Sequence, residues 1–198
     1  MLVPILVQGS WYQLKLWKRF VLAVLLTAAG TIGTYLLFFV ENGKIGGISF
    51  YGAVFFVPII FLLIAKILRE PYKCLMDICA VAECAMLAIM KVQCVQNGCC
   101  SGKIFTISDR VSILFPSQIA EMINGTILLV ILLILSRNKK YQGSIYPLYM
   151  LLYGTTRFIL NLFRADQSVF LIGLTAGSLW SLISVGIGFI WMLLIKKE

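Results

Sequence analysis

The chain has 198 residues, of which 61% are hydrophobic and only 13% are charged, and its mean hydropathy is +0.97. A soluble domain carries about twice that charged fraction, so the composition excludes a soluble globular protein and indicates an integral membrane protein. We attribute the net charge of +9 to basic cytoplasmic loops near anionic lipid, and not to a nucleic-acid-binding surface.

The first 18 residues are predicted to form an interfacial or cytoplasmic segment. Residues 1–10 lack the basic start of a cleavable signal peptide. Residues 11–18 are basic and aromatic, which is typical of an anchor at the membrane interface.

Six apolar stretches then follow, each long enough to cross a bilayer. They predict an all-α polytopic membrane helix bundle of about six transmembrane helices, forming a single integral domain over residues 1–198. The third stretch is the least regular, because Asp77, Glu83 and Lys91 interrupt it. The predicted spans are residues 19–40, 48–68, 75–93, 117–136, 145–163 and 169–195.

An even number of spans places both termini on one side of the membrane. Basic residues concentrate on that side, which the positive-inside rule makes cytoplasmic. The longest loop, residues 94–116, is rich in glycine and cysteine and is then extracytoplasmic. The cytoplasmic set is Lys15, Lys18, Arg19, Lys66, Arg69, Lys73, Arg137, Lys139, Lys140, Lys196 and Lys197; the opposite set is Lys44, Lys103, Arg110 and Arg164.

Arg157 lies near the middle of the fifth predicted span. A guanidinium stays protonated at neutral pH, and placing it in hydrocarbon costs about 2.5 to 3.5 kcal/mol on insertion scales. It therefore predicts a polar cavity that holds an anion. A structural ion pair with Glu121 or Asp166 is the alternative.

Four polar motifs interrupt the apolar background. Each lies toward the predicted extracytoplasmic half, so we expect them to converge on one cavity that opens to the outer leaflet. Helical spacing would place Tyr153, Arg157, Asn161 and Arg164 on one face. The motifs are residues 46–52 (GGISFYG), 91–103 (KVQCVQNGCCSGK), 115–121 (FPSQIAE) and 153–158 (YGTTRF), the last followed by Asn161, Phe163 and Arg164.

The chain contains no histidine, which excludes histidine-based catalysis and histidine metal sites. Cys94, Cys99 and Cys100 lack the further ligands that zinc requires, so we predict no metal and no cofactor. A disulfide between Cys94 and either neighbour is left open.

In their joint order and spacing, the four motifs resemble those of the prolipoprotein diacylglyceryl transferase family. The resemblance covers roughly residue 20 to the C-terminus. It implies an enzyme of the bacterial plasma membrane that moves a diacylglyceryl group from phosphatidylglycerol to the lipobox cysteine of a prolipoprotein, a step of lipoprotein biosynthesis. The product is a thioether, and glycerol phosphate leaves. The implied partners are phosphatidylglycerol, the prolipoprotein signal peptide and membrane lipids, with no nucleic acid.

The resemblance also implies roles for individual residues. Arg157, Lys91 and Tyr51 fall at catalytic positions: Arg157 would clamp the lipid phosphate with its planar fork, and Lys91 would add a second positive charge. The residues implied to bind substrate are Tyr153, Asn97, Gly98, Gly102, Gln118, Glu121 and Arg164.

The chain departs from the family pattern at several positions, including some that the resemblance implies to be catalytic. Tyr51 and Phe115 replace motif histidines, Lys91 replaces an arginine, Asn161 replaces an acidic residue, and the family's usual first span has no counterpart before Trp11. A tyrosine serves as a base only if its pKa, ordinarily about 10, is lowered. Two alternatives therefore stay open: a catalytically impaired member that binds anionic lipid or assists another membrane protein, and a transferase with a different acceptor.

Four of these residues also have purely structural interpretations. Lys91 is equally well placed to snorkel at a helix end, and Arg164 to anchor at the interface. Tyr51 is typical of an interfacial aromatic residue, and Glu121 of an anion that stabilises a helix N-terminus.

Overall fold

Helices make up most of the protein. The computed structural model describes residues 2–98, 102–108, 111–165, 169–171 and 173–195. This part of the chain contains seven α-helices and two antiparallel strand pairs. The helices are α1 (Leu2–Trp11), α2 (Leu16–Asn42), α3 (Tyr51–Leu68), α4 (Tyr72–Gln96), α5 (Ser117–Arg137), α6 (Ile145–Leu162) and α7 (Ala176–Ile195); the strands are β1 (Ile104–Ser108), β2 (Val111–Leu114), β3 (Val169–Leu171) and β4 (Leu174–Thr175).

The predicted all-α membrane bundle is confirmed. Helices α2, α3, α4, α5 and α7 are long and apolar enough to cross a membrane, and they coincide with five of the six predicted spans. The fifth predicted span corresponds to α6, which has 18 residues but is not among those five, because threonine, asparagine and arginine dilute its apolar character. Cytoplasmic termini remain a prediction.

Several predicted boundaries are wrong in an instructive way. The sixth span was predicted from residue 169, but α7 begins at Ala176, since β3 and β4 pair just before it. The loop was predicted from residue 94, but α4 continues to Gln96. Residues 104–114, predicted as loop, contain the β1–β2 hairpin. The N-terminal segment also contains a helix, α1, that buries Ile5 and Gln8.

Helix α4 lies at the centre of the bundle, where it packs against α1, α3, α5 and α6. All residues from 75 to 85 are buried, which explains why charged residues are tolerated in this span. The Glu83 carboxylate accepts a hydrogen bond of 3.3 Å from the Tyr146 hydroxyl. Lys91 forms an ion pair described below. Charge within this helix is therefore directed at protein, not lipid.

Asp77 ties three segments together at the opposite end of α4 from Lys91. Its carboxylate accepts hydrogen bonds from the Tyr12 hydroxyl at 2.7 Å, the Gly143 amide at 2.5 Å and the Ile145 amide at 3.0 Å. Burial, followed by the nearby Asp77 carboxylate, raises the pKa of Tyr12 above its usual range. The Tyr12 hydroxyl therefore stays protonated and donates.

The strands gather at the end of the bundle where α2, α4 and α6 finish and α3, α5 and α7 begin. Gly102 pairs with Arg164 in an isolated antiparallel bridge. The Lys103 amide donates to the Phe163 carbonyl at 2.8 Å, and the Phe163 ring stacks on Phe115. These contacts fasten the hairpin to the chain leaving α6 and fix the backbone at Arg164.

Candidate functional site

One carboxylate, that of Glu121, joins three cations from separate parts of the chain. The Lys91 Nζ atom is 2.6 Å from Glu121 Oε2. Arg157 Nη1 forms an ion pair with Glu121 Oε1, and Arg164 Nη1 lies 3.4 Å from the same oxygen. Four residues that the sequence singled out in three distant motifs therefore meet at one point.

Each cation is placed by a different element. Lys91 lies in the last two turns of α4, and Arg157 projects from α6. The predicted helical face is wrong for Arg164, because α6 ends at Leu162 and the bridge to Gly102 positions Arg164 instead. Asn161 is directed at α7, where it donates to Ser178 Oγ at 3.2 Å.

The cluster carries an excess of positive charge. Glu121 supplies one negative charge against the three positive charges of Lys91, Arg157 and Arg164, and all four side chains are at most 13% exposed. Like charges held together away from water repel one another unless a further anion joins them. The arrangement therefore suits a bound anion, and guanidinium forks match the oxygens of a phosphate.

The contacts of these side chains bear on their structural interpretations. Arg157 does pair with Glu121, as the structural alternative predicted, whereas Asp166 lies outside the described residues. Lys91 does not snorkel, since its ammonium faces Glu121. Glu121 lies one turn inside α5, where an anion would stabilise the helix N-terminus, but its carboxylate pairs with side-chain cations.

A cavity of about 320 Å³ lies beside the cluster. All three cations line it, so the ion pairs with Glu121 do not seal Arg157 from a ligand. The aromatic rings of Tyr51 and Tyr153 form another part of the wall. All four motifs were predicted to converge on one cavity; residues of three of them line it, whereas the third motif, residues 115–121, contributes no lining residue and adjoins it only through the ion pairs of Glu121.

Tyr51 is anchored to α7 by a directional hydrogen-bond chain. Its hydroxyl is 2.7 Å from Ser181 Oγ, and Ser181 donates its hydroxyl hydrogen to the Gly177 carbonyl at 2.6 Å. Tyr51 is therefore the donor to Ser181. The Tyr51 side chain is only 3% exposed, so the interpretation as an interfacial aromatic residue is wrong.

Four other predicted site residues are not among those that line the cavity. Asn97 caps the C-terminus of α4 and is exposed. Gly98 has a φ of +63°, a conformation that glycine adopts without strain. Gly102 is buried, and a Cβ there would collide with the Phe115 carbonyl. Gln118 is half-buried in the first turn of α5.

One described cysteine lines the cavity. Cys94 lies in α4, one turn after Lys91, and lines the cavity. Its two predicted disulfide partners, Cys99 and Cys100, lie outside the described residues, as does Arg110. Within the part of the chain that the structure describes, no group of three or more Cys, Asp or Glu side chains is arranged to hold a metal ion.

Sequence reasoning missed one acidic residue of the cavity. Glu41, in the last turn of α2, lines it together with Ser49. Ser49 Oγ donates to Glu41 Oε1 at 2.8 Å. The available signal was an acidic side chain at the same end of the bundle as the four polar motifs, eight residues before the serine of the first motif.

An apolar cavity of about 240 Å³ adjoins the polar one, between α2, α3 and α4. The two share Ile48, Phe50 and Met90 in their walls. The second cavity is lined by aliphatic and methionine side chains and by threonines of α2, with Glu83 at its wall. The cavity lined by cations thus borders the apolar cavity. This arrangement suits a molecule with an anionic headgroup and an attached acyl chain.

Comparison with known proteins gives concordant matches. The sequence model of a family described as prolipoprotein diacylglyceryl transferase matches residues 8–194. Three bacterial proteins named phosphatidylglycerol–prolipoprotein diacylglyceryl transferase are similar. That of Campylobacter hominis is 28% identical over 159 residues, covering 75% of this chain and 57% of the relative. That of Geobacter sulfurreducens is 28% identical over 142 residues, covering 67% and 53%, and that of Campylobacter curvus 26% over 169 residues, covering 80% and 63%. The matches therefore span between half and two thirds of the length of these relatives.

Proposed function

The chain belongs to the prolipoprotein diacylglyceryl transferase family, and on that premise we propose that it is a transferase acting on phosphatidylglycerol. It moves the diacylglyceryl group to the lipobox cysteine thiol of a prolipoprotein, which its signal peptide presents at the bacterial plasma membrane. The observation that carries the proposal is the cluster of three cations that share Glu121 beside a cavity.

The phosphodiester of the lipid occupies the cationic wall of the cavity. Arg157 supplies two parallel donors to the phosphate oxygens, while Lys91 and Arg164 add charge from either side. When the ester bond breaks, negative charge grows on the departing glycerol phosphate. Cations already fixed around Glu121 stabilise that charge without reorganising, which lowers the barrier.

The remaining predicted residues hold the two substrates. Tyr153 and Tyr51 form an aromatic wall, with ring centroids 5.4 Å apart, against which the glyceryl group packs. An acyl chain extends into the adjoining apolar cavity. Asn97, Gly98, Gly102 and Gln118 stay predicted contacts of the lipid or signal peptide.

The test is transfer in vitro from labelled phosphatidylglycerol to a synthetic lipobox peptide. We expect Arg157→Ala to lower kcat/KM by at least about 10²-fold, which is the usual cost of removing one preorganised hydrogen-bond donor that stabilises developing charge. Arg157→Lys keeps the charge but loses the fork, so we expect an intermediate value. Arg137→Ala is the matched control, because Arg137 is exposed at the other end of α5.

Two results would contradict the proposal. One is a folded Arg157→Ala protein that transfers at the rate of the unchanged protein. The other is an unchanged protein that binds phosphatidylglycerol vesicles but never modifies the peptide, which would favour the alternative of a lipid-binding accessory protein.

A further inference from the structure

We propose that Glu41 is the proton acceptor for the incoming cysteine thiol; this inference rests on the proposed transferase function. A thiol with a pKa of about 8.5 is mostly protonated at neutral pH, and only the thiolate is a strong nucleophile. The reaction therefore needs a group in the cavity that takes this proton. The chain contains no histidine, the side chain that most often does so.

The other ionisable groups in or next to the cavity are poorly suited as bases. Lys91, Arg157 and Arg164 are cations engaged with Glu121, and a protonated cation accepts no proton. Glu121 itself carries a negative charge but is held by all three. It is thus committed to the cluster that binds the phosphate.

The remaining ionisable side chains that line the cavity are two tyrosines and one cysteine. Tyr51 donates its hydroxyl hydrogen to Ser181, so it is already a neutral donor. Tyr153 is packed between Tyr51 and Tyr149, with ring centroids 5.4 and 5.6 Å away. Cys94 is a thiol like the substrate and offers no thermodynamic advantage as a base.

Glu41 differs from all of these groups. It lines the same cavity, and among the described residues no lysine or arginine lies within ion-pair distance of its carboxylate. The Ser49 hydroxyl donates to Oε1 at 2.8 Å, and the Trp180 side chain also lies against the carboxylate, so neutral groups alone hold it in place. A carboxylate that is oriented by neutral side chains and shares a cavity with a cationic wall is the arrangement expected of a general base.

The step balances in atoms and charge. The S–H bond breaks and its proton passes to Glu41, while the sulfur electron pair attacks the glyceryl carbon that bears the phosphate ester. The new S–C bond forms as the C–O bond breaks, and glycerol phosphate leaves with the bonding pair. Glycerol phosphate, whose second pKa is about 6, leaves mainly as a dianion at pH 7. Glu41 then releases its proton to water and is a carboxylate again.

The pH dependence of transfer tests this assignment. Glu41→Gln keeps an oxygen that accepts the Ser49 hydrogen bond but removes the base. We expect kcat/KM at pH 7 to fall by about 10²-fold. Higher pH ionises the free thiol without help from a base. The ratio of kcat/KM between the unchanged protein and Glu41→Gln should therefore fall by about tenfold per pH unit as pH approaches 8.5. Glu70→Gln is the control, since Glu70 pairs with Lys18, at the other end of the bundle.

The outcomes separate this inference from the proposed function. If the unchanged protein transfers the lipid and Glu41→Gln matches it at pH 7, Glu41 is not the base. A deficit that is equal at every pH, or thermal unfolding several degrees lower, assigns Glu41 a positioning role and also overturns the inference. If the unchanged protein does not modify the peptide at any pH, the proposed function itself is overturned, and the inference falls with it.

Discussion

Gly33 of α2 and Gly52 of α3 lie face to face, with the Gly52 carbonyl oxygen 2.5 Å from the position that a Cβ on Gly33 would occupy. Small residues allow two membrane helices to bring their backbones into contact. The Ser49 amide, just before α3, also donates to the Thr34 carbonyl at 3.0 Å. This crossing therefore holds the segment that carries Ser49 beside the end of α2, where Glu41 lies.

Replacing Gly33 with alanine should loosen this crossing. The added methyl group has no space, so the helices must separate, and overpacking of this kind costs about 1 to 3 kcal/mol. We expect a lower thermal unfolding midpoint in detergent and reduced transfer. Gly30→Ala, one turn earlier, is the control, because its Cβ would meet Ala53 at an ordinary 3.7 Å. Equal midpoints for the two variants would contradict the proposed close packing.

Glu121→Gln should be far more damaging than the same change at Glu70. Without the Glu121 carboxylate, three buried cations lose their common partner, and breaking a buried pair in this way costs about 3 to 5 kcal/mol. Loss of the Glu70 carboxylate leaves a single cation, Lys18, which is slightly more exposed and keeps its hydrogen bond to the Leu68 carbonyl, so it should cost less. Unfolding midpoints of the two variants measure the difference.

A further measurement distinguishes charge from packing at the same site. Adding a multivalent anion such as inorganic pyrophosphate should raise the unfolding midpoint of Glu121→Gln more than that of the unchanged protein, because the anion replaces the missing negative charge. If the anion has no effect on either protein, the cluster does not bind phosphates.

The sequence predicted the bundle and much of the site for clear physical reasons. Long apolar stretches specify membrane helices almost directly, since the bilayer leaves the backbone few alternatives. The rare charged residues in them, Arg157 and Lys91 above all, are costly unless they meet a partner, so their convergence was predictable. Glu121 was foreseen only as one of two possible ion-pair partners of Arg157, and its contacts with Lys91 and Arg164 were not predicted.

Other features left no comparable signal. The β1–β2 hairpin is short and has mixed polarity, and its pairing depends on contacts with Phe163 that only the fold creates. Glu41 was missed because a single acidic residue at the end of a helix is ordinarily an exposed side chain in contact with solvent. It becomes part of a cavity only in the folded bundle, where the ends of α2, α4 and α6 line the same space.

The hydrogen bond between Tyr51 and Ser181 gives the last prediction. Tyr51→Phe and Ser181→Ala each remove one partner, and each should lower stability by about 1 kcal/mol. The double variant should lose less than the sum of the two, because the second change removes a bond that is already broken. If Tyr51 acts by positioning, both single variants should reduce transfer to a similar extent, and their pH profiles should parallel that of the unchanged protein. A Tyr51→Phe variant with much lower transfer than Ser181→Ala, recovering at high pH, would instead make Tyr51 the proton acceptor and displace Glu41 from that role.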